Sequence, residues 1–308
     1  MKFAAIDIGS NAVKLLLACV LENGSKPYFK KESFIRMPIR LGEDVFTDRR
    51  ISPDKAARLV DTMVGFKNLI AAYGALDYMA CATSAMREAE NGDEVAAEIR
   101  SAAGIDLQIV DGGREAQIVY SNHVENLLAD DKTSLYVDVG GGSTEVSIMH
   151  KGKCVDSRSF SIGTIRILKN LIAEDDWQAM RTWLKTTTRE YDSTVIIGSG
   201  GNINKVFRLT RRKEGKPISL KKLKSIHAVL NSFTYDERIH LLNLRPDRAD
   251  VIVPACEIFL SVMKWSKSDR LYVPLIGLSD GLIHILYEKH TNGENAASSA
   301  AAAAGSLS

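Results

Sequence analysis

The sequence predicts an α/β protein in which two domains of the same topology face each other across a cleft. One order of elements occurs twice: a buried strand, a turn of the form Asp-x-Gly, a second strand and a hairpin. The first turn is Asp7-Ile8-Gly9-Ser10-Asn11 and the second runs from Asp138 to Thr144. The length of 308 residues fits two domains at about 150 residues each.

Composition excludes several classes of protein. The 40 Lys and Arg residues against 38 Asp and Glu give a net charge of +2, and 45% of the residues are hydrophobic. These values are unlike those of disordered chains or uniformly basic nucleic-acid binders. The longest apolar run, Leu15 to Leu21, is far shorter than the roughly 20 residues of a membrane-spanning helix. We therefore expect no membrane partner.

The cysteines and the N-terminal residues indicate a cytoplasmic protein. The four cysteines are scattered and form no Cys-x-x-Cys pair, so neither a zinc site nor a redox motif is supported. Asp7, Asn11 and Lys14 interrupt the apolar stretch that a secretion signal would need.

The first domain is expected to span residues 1–126. Apolar runs that end in turn residues predict its strands. Asn23-Gly24 is a hairpin signal, Pro53 favours the start of a helix, and Gly104 favours the end of one. Strands are predicted at Lys2–Ile8, Ala12–Leu21, Tyr28–Arg36 and Met79–Thr83, and helices at Asp54–Tyr73 and Asp93–Ala103.

The second domain is expected to span residues 127–290, with a last helix near 278–290 that could pack back on the first domain. Its strands are predicted at Ser134–Val139, Glu145–His150, Cys154–Phe160, Thr194–Ile197 and Arg270–Val273. Its helices are predicted at Thr164–Ala173, Asp175–Tyr191, Leu220–Phe233, Arg248–Lys264 and Leu278–Lys289. Residues 291–308 are rich in Ala and Ser and are predicted to form a low-complexity tail outside the fold.

The two glycine-containing turns suit an anion. Glycines allow a phosphate to approach backbone N–H groups, and neighbouring hydroxyl groups add donors. A third glycine turn, Gly198 to Gly201, follows a later strand. The predicted phosphate-binding residues are Gly9, Ser10, Asn11, Gly140, Gly141, Gly142, Ser143 and Thr144.

Two aspartates in these turns point to a cation. The carboxylates of Asp7 and Asp138 would repel a phosphate directly. They make sense as ligands, direct or through water, of a divalent cation that neutralises the phosphate.

An ordered set of motifs resembles the exopolyphosphatase/guanosine pentaphosphate phosphohydrolase (Ppx/GppA) family. Besides the first turn, the set comprises Ala82 to Arg87, Gly113 to Ala116, Asp138 to Glu145 (DVGGGSTE), Ser161 to Arg166, Gly198 to Gly201, and Arg248 to Ile252 with Pro254. The resemblance covers about residues 1–290. It implies duplicated ribonuclease-H-like domains of the actin, sugar-kinase and Hsp70 ATPase superfamily.

The same resemblance implies the roles of three side chains. Glu115 matches the family's catalytic glutamate, which orients or deprotonates the attacking water, and Arg87 matches its phosphate-binding arginine. Glu145 would hold Mg²⁺ together with Asp138, although other divalent cations are possible. Each residue also has a purely structural interpretation. Glu115 could be a solvated glutamate on a helix, Arg87 could pair with Glu88 or Glu90, and Glu145 could be a structural residue of its strand.

One position departs from the family pattern. Many members carry two glutamates before the alanine, but here the first is Arg114. A guanidinium there would lower the pKa of Glu115 or add a phosphate contact.

A basic run offers a path for a polyanion. Residues 208–224 contain eight basic side chains and one acid. A linear polyanion would be attracted to this stretch, although a solvated face is an equal alternative. The predicted polyanion-binding residues are Gly200, Gly201, Arg208, Arg211, Arg212 and Lys213.

The sequence therefore predicts a Mg²⁺-dependent hydrolase that releases terminal orthophosphate from inorganic polyphosphate, from the guanosine alarmone pppGpp, or from both. The alternatives are an ATP-dependent kinase or ATPase of the same superfamily and a non-catalytic polyphosphate or alarmone sensor. No specific nucleic acid partner is expected. The oligomeric state is open, and a homodimer is compatible with the sequence.

Overall fold

The structure is a computed structural model that describes residues 1–22, 26–121, 133–151, 153–191 and 194–305, with side chains described as far as residue 291. The predicted Asn23-Gly24 turn and the predicted domain boundary at residues 126–127 lie outside these residues.

The first domain is built on a five-stranded sheet with the order β3-β2-β1-β4-β5. Neighbours β1 and β2, and β2 and β3, are antiparallel, whereas β4 and β5 run parallel to β1. Six of the seven residues of β1 are buried, because the strand lies at the centre of the sheet between two covered faces. The strands are β1 (Lys2–Ile8), β2 (Val13–Glu22), β3 (Pro27–Met37), β4 (Asp77–Ala82) and β5 (Leu107–Ile109).

The second sheet repeats this arrangement. Its order is β8-β7-β6-β9-β10, with the same pattern of antiparallel and parallel neighbours. The identical topology confirms the prediction of a duplicated α/β fold. The strands are β6 (Thr133–Val139), β7 (Thr144–His150), β8 (Lys153–Phe160), β9 (Thr194–Ser199) and β10 (Leu271–Tyr272).

Helices cover both sheets. The helices of the first domain are α1 (Leu41–Asp48), α2 (Pro53–Tyr73), α3 (Ser84–Glu88), α4 (Gly92–Ala103) and α5 (Gly112–Tyr120). Those that follow are α6 (Thr164–Leu168), α7 (Glu174–Thr187), α8 (Gly201–Leu209), α9 (Leu220–Ser232), α10 (Tyr235–His240), α11 (Pro246–Ala249), α12 (Ile252–Trp265) and α13 (Leu278–Gly305).

The chain returns to the first domain at its end. Helix α13 packs on β1 and on α5, and its Leu282 and Leu286 are fully buried against Phe3 and Leu16. The backbone of α13 continues past the predicted end at Lys289, because the alanine-rich stretch that follows has a high helix propensity.

Several elements near the cleft are short and have no predicted counterpart. They include α1, α3, α5 and α8, which have five to nine residues each. Such helices depend on tertiary packing rather than on a long amphipathic pattern. Three of them, α3, α5 and α8, carry side chains of the candidate site.

Candidate functional site

Each domain contributes a turn of the same geometry to the cleft. In the first domain the amide of Gly9 donates to the carbonyl of Ala12 (3.1 Å), and in the second the amide of Gly140 donates to the carbonyl of Ser143 (3.0 Å). The two middle amides of each turn donate to no protein group in the part of the chain that the structure describes. The amides of Ser10, Asn11 and Gly141 are therefore available to an anion.

The two turns meet closely. A Cβ atom on Gly141 would lie only 2.9 Å from the Cβ of Ser10 in the opposite domain. The Ser10 hydroxyl in turn shares a 2.8 Å hydrogen bond with the Ser84 hydroxyl. Glycine at position 141 thus permits the domains to approach at this point.

Most of the predicted phosphate-binding residues line one cavity of about 570 Å³ between the domains. They are Gly9, Ser10, Asn11, Gly140, Gly141 and Ser143. Gly142 and Thr144 do not line it. A Cβ on Gly142 would lie 2.3 Å from the ring of Phe46, and the buried Thr144 hydroxyl donates to the carbonyl of Ile162 (2.6 Å). Gly142 is therefore required for close packing, and Thr144 is engaged in a hydrogen bond within the protein.

Three carboxylates converge at one side of the cavity. One oxygen each from Glu115, Asp138 and Glu145 lies within 4.8 Å of the others. Asp138 and Glu145 are paired residues of β6 and β7. Glu115 lies in the first turn of α5, which is capped by Asp111. The first domain thus supplies one acid of the cluster and the second domain supplies two.

The environment of the cluster disfavours its charges. Glu115 is 7% exposed and Glu145 is 2% exposed. Burial, followed by the negative charges of Glu145 and Asp138, raises the pKa of Glu115 well above its ordinary value. Burial and the charge of Asp138 likewise raise the pKa of Glu145. Burial is also the largest reason why the pKa of Asp138 is raised.

The same cluster fits a divalent cation. Glu145 Oε1 accepts a hydrogen bond from the Ser159 hydroxyl (2.9 Å). The Oε2 atoms of Glu115 and Glu145 are buried without a hydrogen-bond partner among the described residues. Buried carboxylate oxygens are normally hydrogen-bonded or bound to a metal. Hard oxygen donors of this kind suit Mg²⁺ and similar ions.

Asp7 lies outside this three-carboxylate cluster. It is paired with Lys14 at 2.6 Å, and these two residues are partners in the register of β1 and β2. Its negative charge still raises the pKa values of Glu115 and Asp138. The structure thus brings together two of the three predicted cation ligands and places Glu115 beside them.

Arg87 lies near the carboxylates but is not part of the cavity lining. Its Nη1 donates to the carbonyl of Val110 (2.7 Å), and its charge lowers the pKa values of Glu115 and Glu145. The two acids that could have paired with it have other partners, because Glu88 binds Arg166 and Glu90 lies beside Arg49. Arg87 therefore acts on the cluster electrostatically in this conformation.

Arg114 does not act on Glu115 as the sequence suggests. Its exposed side chain donates to Gln117 (3.2 Å), and the pKa of Glu115 is raised rather than lowered. The expected downward shift is therefore wrong. Burial and the neighbouring acids outweigh the cationic groups nearby.

Basic side chains also line the cavity, and most of them are not singled out by the sequence. Arg248 is largely buried, and burial together with the charges of Arg36 and Arg245 lowers its pKa to about 10. Burial and the charge of Arg248 also lower the pKa of Lys205. The basic residues that line the cavity are Lys14, Lys31, Arg36, Lys205, Arg208, Arg245 and Arg248.

These cations come from several different elements and loops, so the local run of charge at 208–224 reveals only Arg208 among them. Helical spacing is the one other available signal. Gly201, Lys205 and Arg208 recur at intervals of four and three residues on α8. Of the predicted polyanion-binding residues, Gly200, Gly201 and Arg208 line the cavity, whereas Arg211, Arg212 and Lys213 do not.

Ion pairs join the two domains beside the cavity. Arg36 of β3 pairs with Asp247 of α11, and both side chains are buried. Arg40 binds Asp250 through two contacts of 3.3 Å and 2.7 Å. Arg166 of α6 pairs with Glu88 of α3 in the first domain, and it also donates to the carbonyl of Gly142 in the second glycine turn (2.7 Å). These contacts hold the walls of the cleft together.

Two domains of this topology, with matched glycine turns and an acidic cluster at their cleft, define the actin-like class of α/β proteins. A family model described as the Ppx/GppA phosphatase family matches residues 33–290. The chain belongs to that family.

Individual relatives agree with this assignment. Exopolyphosphatase 1 of Mycobacterium tuberculosis is 25% identical over 303 residues, which cover 92% of this chain and 87% of that protein. An exopolyphosphatase structure from Cytophaga hutchinsonii has a TM-score of 0.80 at 24% identity and covers 94% of this chain and 97% of its own. The Ppx/GppA family member of Aquifex aeolicus has a TM-score of 0.75 at 23% identity, covering 94% and 98%. The two structures share the fold of this chain.

Among the residues that the structure describes, no helix is both long enough and apolar enough to cross a bilayer.

Proposed function

We propose that this protein is a phosphoanhydride hydrolase that releases terminal orthophosphate from inorganic polyphosphate. The observation that carries the proposal is the cavity itself, which is lined by Glu115 and Asp138 of the acidic cluster and by seven basic side chains. A linear polyanion with a reactive terminal phosphate fits a cavity that carries both acidic and basic side chains. The cations bind the chain, and the acids act at its terminal bond. The family relatives named exopolyphosphatase support the same substrate.

The terminal phosphate is placed between the two glycine turns. The free amides of the turns and the hydroxyls of Ser10 and Ser143 offer donors to its oxygens. Phosphoryl transfer proceeds through a transition state whose charge is spread over the phosphoryl oxygens. Fixed donors on both sides therefore lower the barrier mainly through positioning and electrostatics.

Glu115 acts on the attacking water. The water oxygen attacks the terminal phosphorus, the bond to the bridging oxygen breaks, and the shortened chain leaves with its electron pair. Glu115 accepts the proton that the water loses. Its raised pKa makes its carboxylate a stronger base than an exposed glutamate. The partnerless Oε2 leaves an acceptor site for that water.

Asp138 and Glu145 would hold Mg²⁺ at the acidic cluster, with Glu115 close by. When bound, the ion would supply positive charge that offsets both the carboxylates and the phosphate oxygens. Ser159 keeps Glu145 oriented toward this position through its hydrogen bond.

Orthophosphate release tests this function. The purified protein is incubated with tripolyphosphate, long-chain polyphosphate, pppGpp and ATP, each with Mg²⁺ and with a chelator. We expect release from both polyphosphates that the chelator abolishes. Hydrolysis of ATP alone, or phosphate transfer from ATP to a sugar, would instead indicate a kinase or ATPase. Tight polyphosphate binding without release would indicate a sensor.

One observation favours pppGpp as a second substrate. Phe34 of β3 lines the cavity and is 56% exposed. Polyphosphate gives an aromatic ring nothing to stack on, whereas the guanine base of pppGpp does. Phe34→Ala should weaken pppGpp hydrolysis through KM and leave tripolyphosphate hydrolysis unchanged. Equal effects on both substrates would remove this role from Phe34.

A further inference from the structure

One face of α8 lies along the cavity and begins beside the acidic cluster. The helix begins at Gly201, directly after the turn in which a Cβ on Gly200 would lie 3.2 Å from Asp138 Oδ1. Asn204, Lys205 and Arg208 then follow at helical spacing, and all of them line the cavity. At 1.5 Å per residue, this face is about 10 Å long from Gly201 to Arg208. Arg208, which is exposed, therefore stands about two turns of helix away from the turn next to Asp138.

The chain remains basic beyond Arg208. The loop after α8 and the first turns of α9 carry seven cationic side chains, all exposed, and a single acid, Glu214. Of the described residues, none forms an ion pair with any of these seven. We call this the outer basic surface, and it consists of Arg211, Arg212, Lys213, Lys216, Lys221, Lys222 and Lys224.

Part of this surface is placed against the preference of its helix. Lys221 and Lys222 occupy the second and third positions of α9, after the cap Ser219. Cations are unfavourable at a helix N-terminus because the exposed N–H groups there are already positive. The surface therefore combines several cations with a helix end of the same sign. A bound polyanion would relieve this repulsion.

We propose that the outer basic surface binds the trailing part of a polyphosphate chain too long to fit inside the cleft. The inference rests on the proposed function for the identity of the polymer, and on α8 for the continuity between the cleft and the surface. A short substrate would fill the cavity and end at Arg208. A long one would continue across residues 211–224 and gain contacts that the short one lacks.

The test removes three lysines whose side chains make no described contact. The triple variant Lys213→Ala, Lys216→Ala and Lys221→Ala is compared with the unaltered protein for binding and hydrolysis of long-chain polyphosphate and tripolyphosphate. We expect the Kd and KM for the long polymer to rise on the order of tenfold, since each exposed charge contact is weak and three are removed. The tripolyphosphate values should not change. The affinity for the long polymer should also depend less steeply on salt.

A matched control removes equal charge elsewhere. Arg181, Lys185 and Arg189 are exposed cations on or just after α7, and their triple alanine variant has the same net charge as the test variant. This control should bind long polyphosphate like the unaltered protein. A similar loss in both triples would show a general charge effect and overturn the proposal. An unchanged test variant would overturn it as well.

Binding and hydrolysis are measured separately, so the two proposals fail differently. Loss of long-polymer binding in the test variant supports the outer surface even if no form of the protein releases orthophosphate. If the test variant hydrolyses polyphosphate normally and binds the long polymer as tightly as the unaltered protein, the proposal of the outer basic surface is refuted and the proposed hydrolase function still stands. Single-stranded DNA is used as a competitor. If it displaces long-chain polyphosphate at equal phosphate concentration, the assignment to polyphosphate is wrong.

Discussion

Asp138 and Glu145 lie directly opposite each other on adjacent antiparallel strands, and Glu115 reaches the same point from the other domain. Like charges at paired positions of a sheet are destabilising, and burial increases the cost. The protein therefore holds at its cleft an arrangement of acids that is unfavourable without a cation.

Replacing one acid should stabilise the metal-free protein. Because burial and Asp138 raise the pKa of Glu145, folding favours its protonated form, and stability falls as the pH rises through the raised pKa. Glu145→Gln removes this loss, because glutamine does not ionise. Each pKa unit by which folding raises the pKa of Glu145 is worth about 1.4 kcal/mol of unfolding free energy. The gain over the unaltered protein should be small below the ordinary glutamate pKa of 4.5 and grow as the pH rises. Thermal unfolding in chelator across this range measures it.

The exposed Glu98 on α4 provides the control for that substitution. Glu98→Gln should leave the unfolding temperature unchanged at every pH. A Glu145→Gln protein that is no more stable than the unaltered one at alkaline pH would show that the cluster carries no electrostatic strain.

Magnesium should stabilise the folded protein through the same cluster. A ligand present at 100 times its Kd raises the free energy of unfolding by about 2.7 kcal/mol. Asp138→Asn should lose most of the Mg²⁺-induced rise in unfolding temperature. Asp7→Asn should retain it, because Asp7 is paired with Lys14 outside the cluster. The reverse result would place the ion at Asp7.

Helix α13 fixes the position of Glu115 through α5. A Cβ on Gly281 would lie 1.8 Å from the carbonyl oxygen of Ile118, one turn after Glu115. Gly281→Ala must therefore displace one of the two helices. We expect a loss of about 1–3 kcal/mol in stability, as for overpacked cores, together with a fall in kcat.

Gly65, in the middle of α2, is the matched position for this test. A Cβ there meets nothing within 4 Å. Gly65→Ala should raise stability by about 0.5–1 kcal/mol and leave activity unchanged. If Gly281→Ala and Gly65→Ala change stability and kcat to the same extent, the close packing of α13 on α5 does not determine the position of Glu115.

The sequence predicts the fold well where the pattern is local. Apolar runs and hairpin signals predict most strands of both sheets, whereas the three-residue β5 (Leu107–Ile109) is too short to give such a pattern. The acids Asp138 and Glu145 are likewise found, since they lie on one motif. The basic side chains of the cavity are different. Arg36 comes from β3 of the first domain, whereas Lys205, Arg245 and Arg248 come from two separate stretches of the second, so these cations share one cavity only in the folded protein.

Two positions depend on burial and on the direction of a helix, which residue type alone does not show. Sequence alone gives Thr144 a phosphate contact, but the hydroxyl is fully buried and satisfied by the carbonyl of Ile162. It also fails to single out Lys205 of α8, which lines the cavity. Burial and the direction of α8 decide both cases, and neither is visible in residue types.

We expect Lys222 to lower the stability of the protein and to strengthen its binding of long-chain polyphosphate. It occupies the third position of α9, where a glutamate could complete a capping box with Ser219. The negative charge of that glutamate would also be attracted to the positive N-terminal end of the helix. Lys222→Glu is expected to raise the free energy of unfolding by about 0.3–1 kcal/mol. The same change should weaken long-chain polyphosphate binding. Denaturant unfolding and direct binding measure the two effects, and a variant that is less stable would contradict the account of this helix end.

Glu115 provides the most direct test of the central claim, that the acidic cluster hydrolyses the terminal phosphoanhydride bond. Orthophosphate release from tripolyphosphate is measured at saturating substrate with Mg²⁺ for the unaltered protein, Glu115→Gln and the control Glu98→Gln. A base that accepts the proton of water contributes about 10²- to 10⁴-fold to the rate. Glu115→Gln should therefore lose kcat by that factor and still bind tripolyphosphate, while Glu98→Gln remains fully active. Full activity of Glu115→Gln would contradict the mechanism.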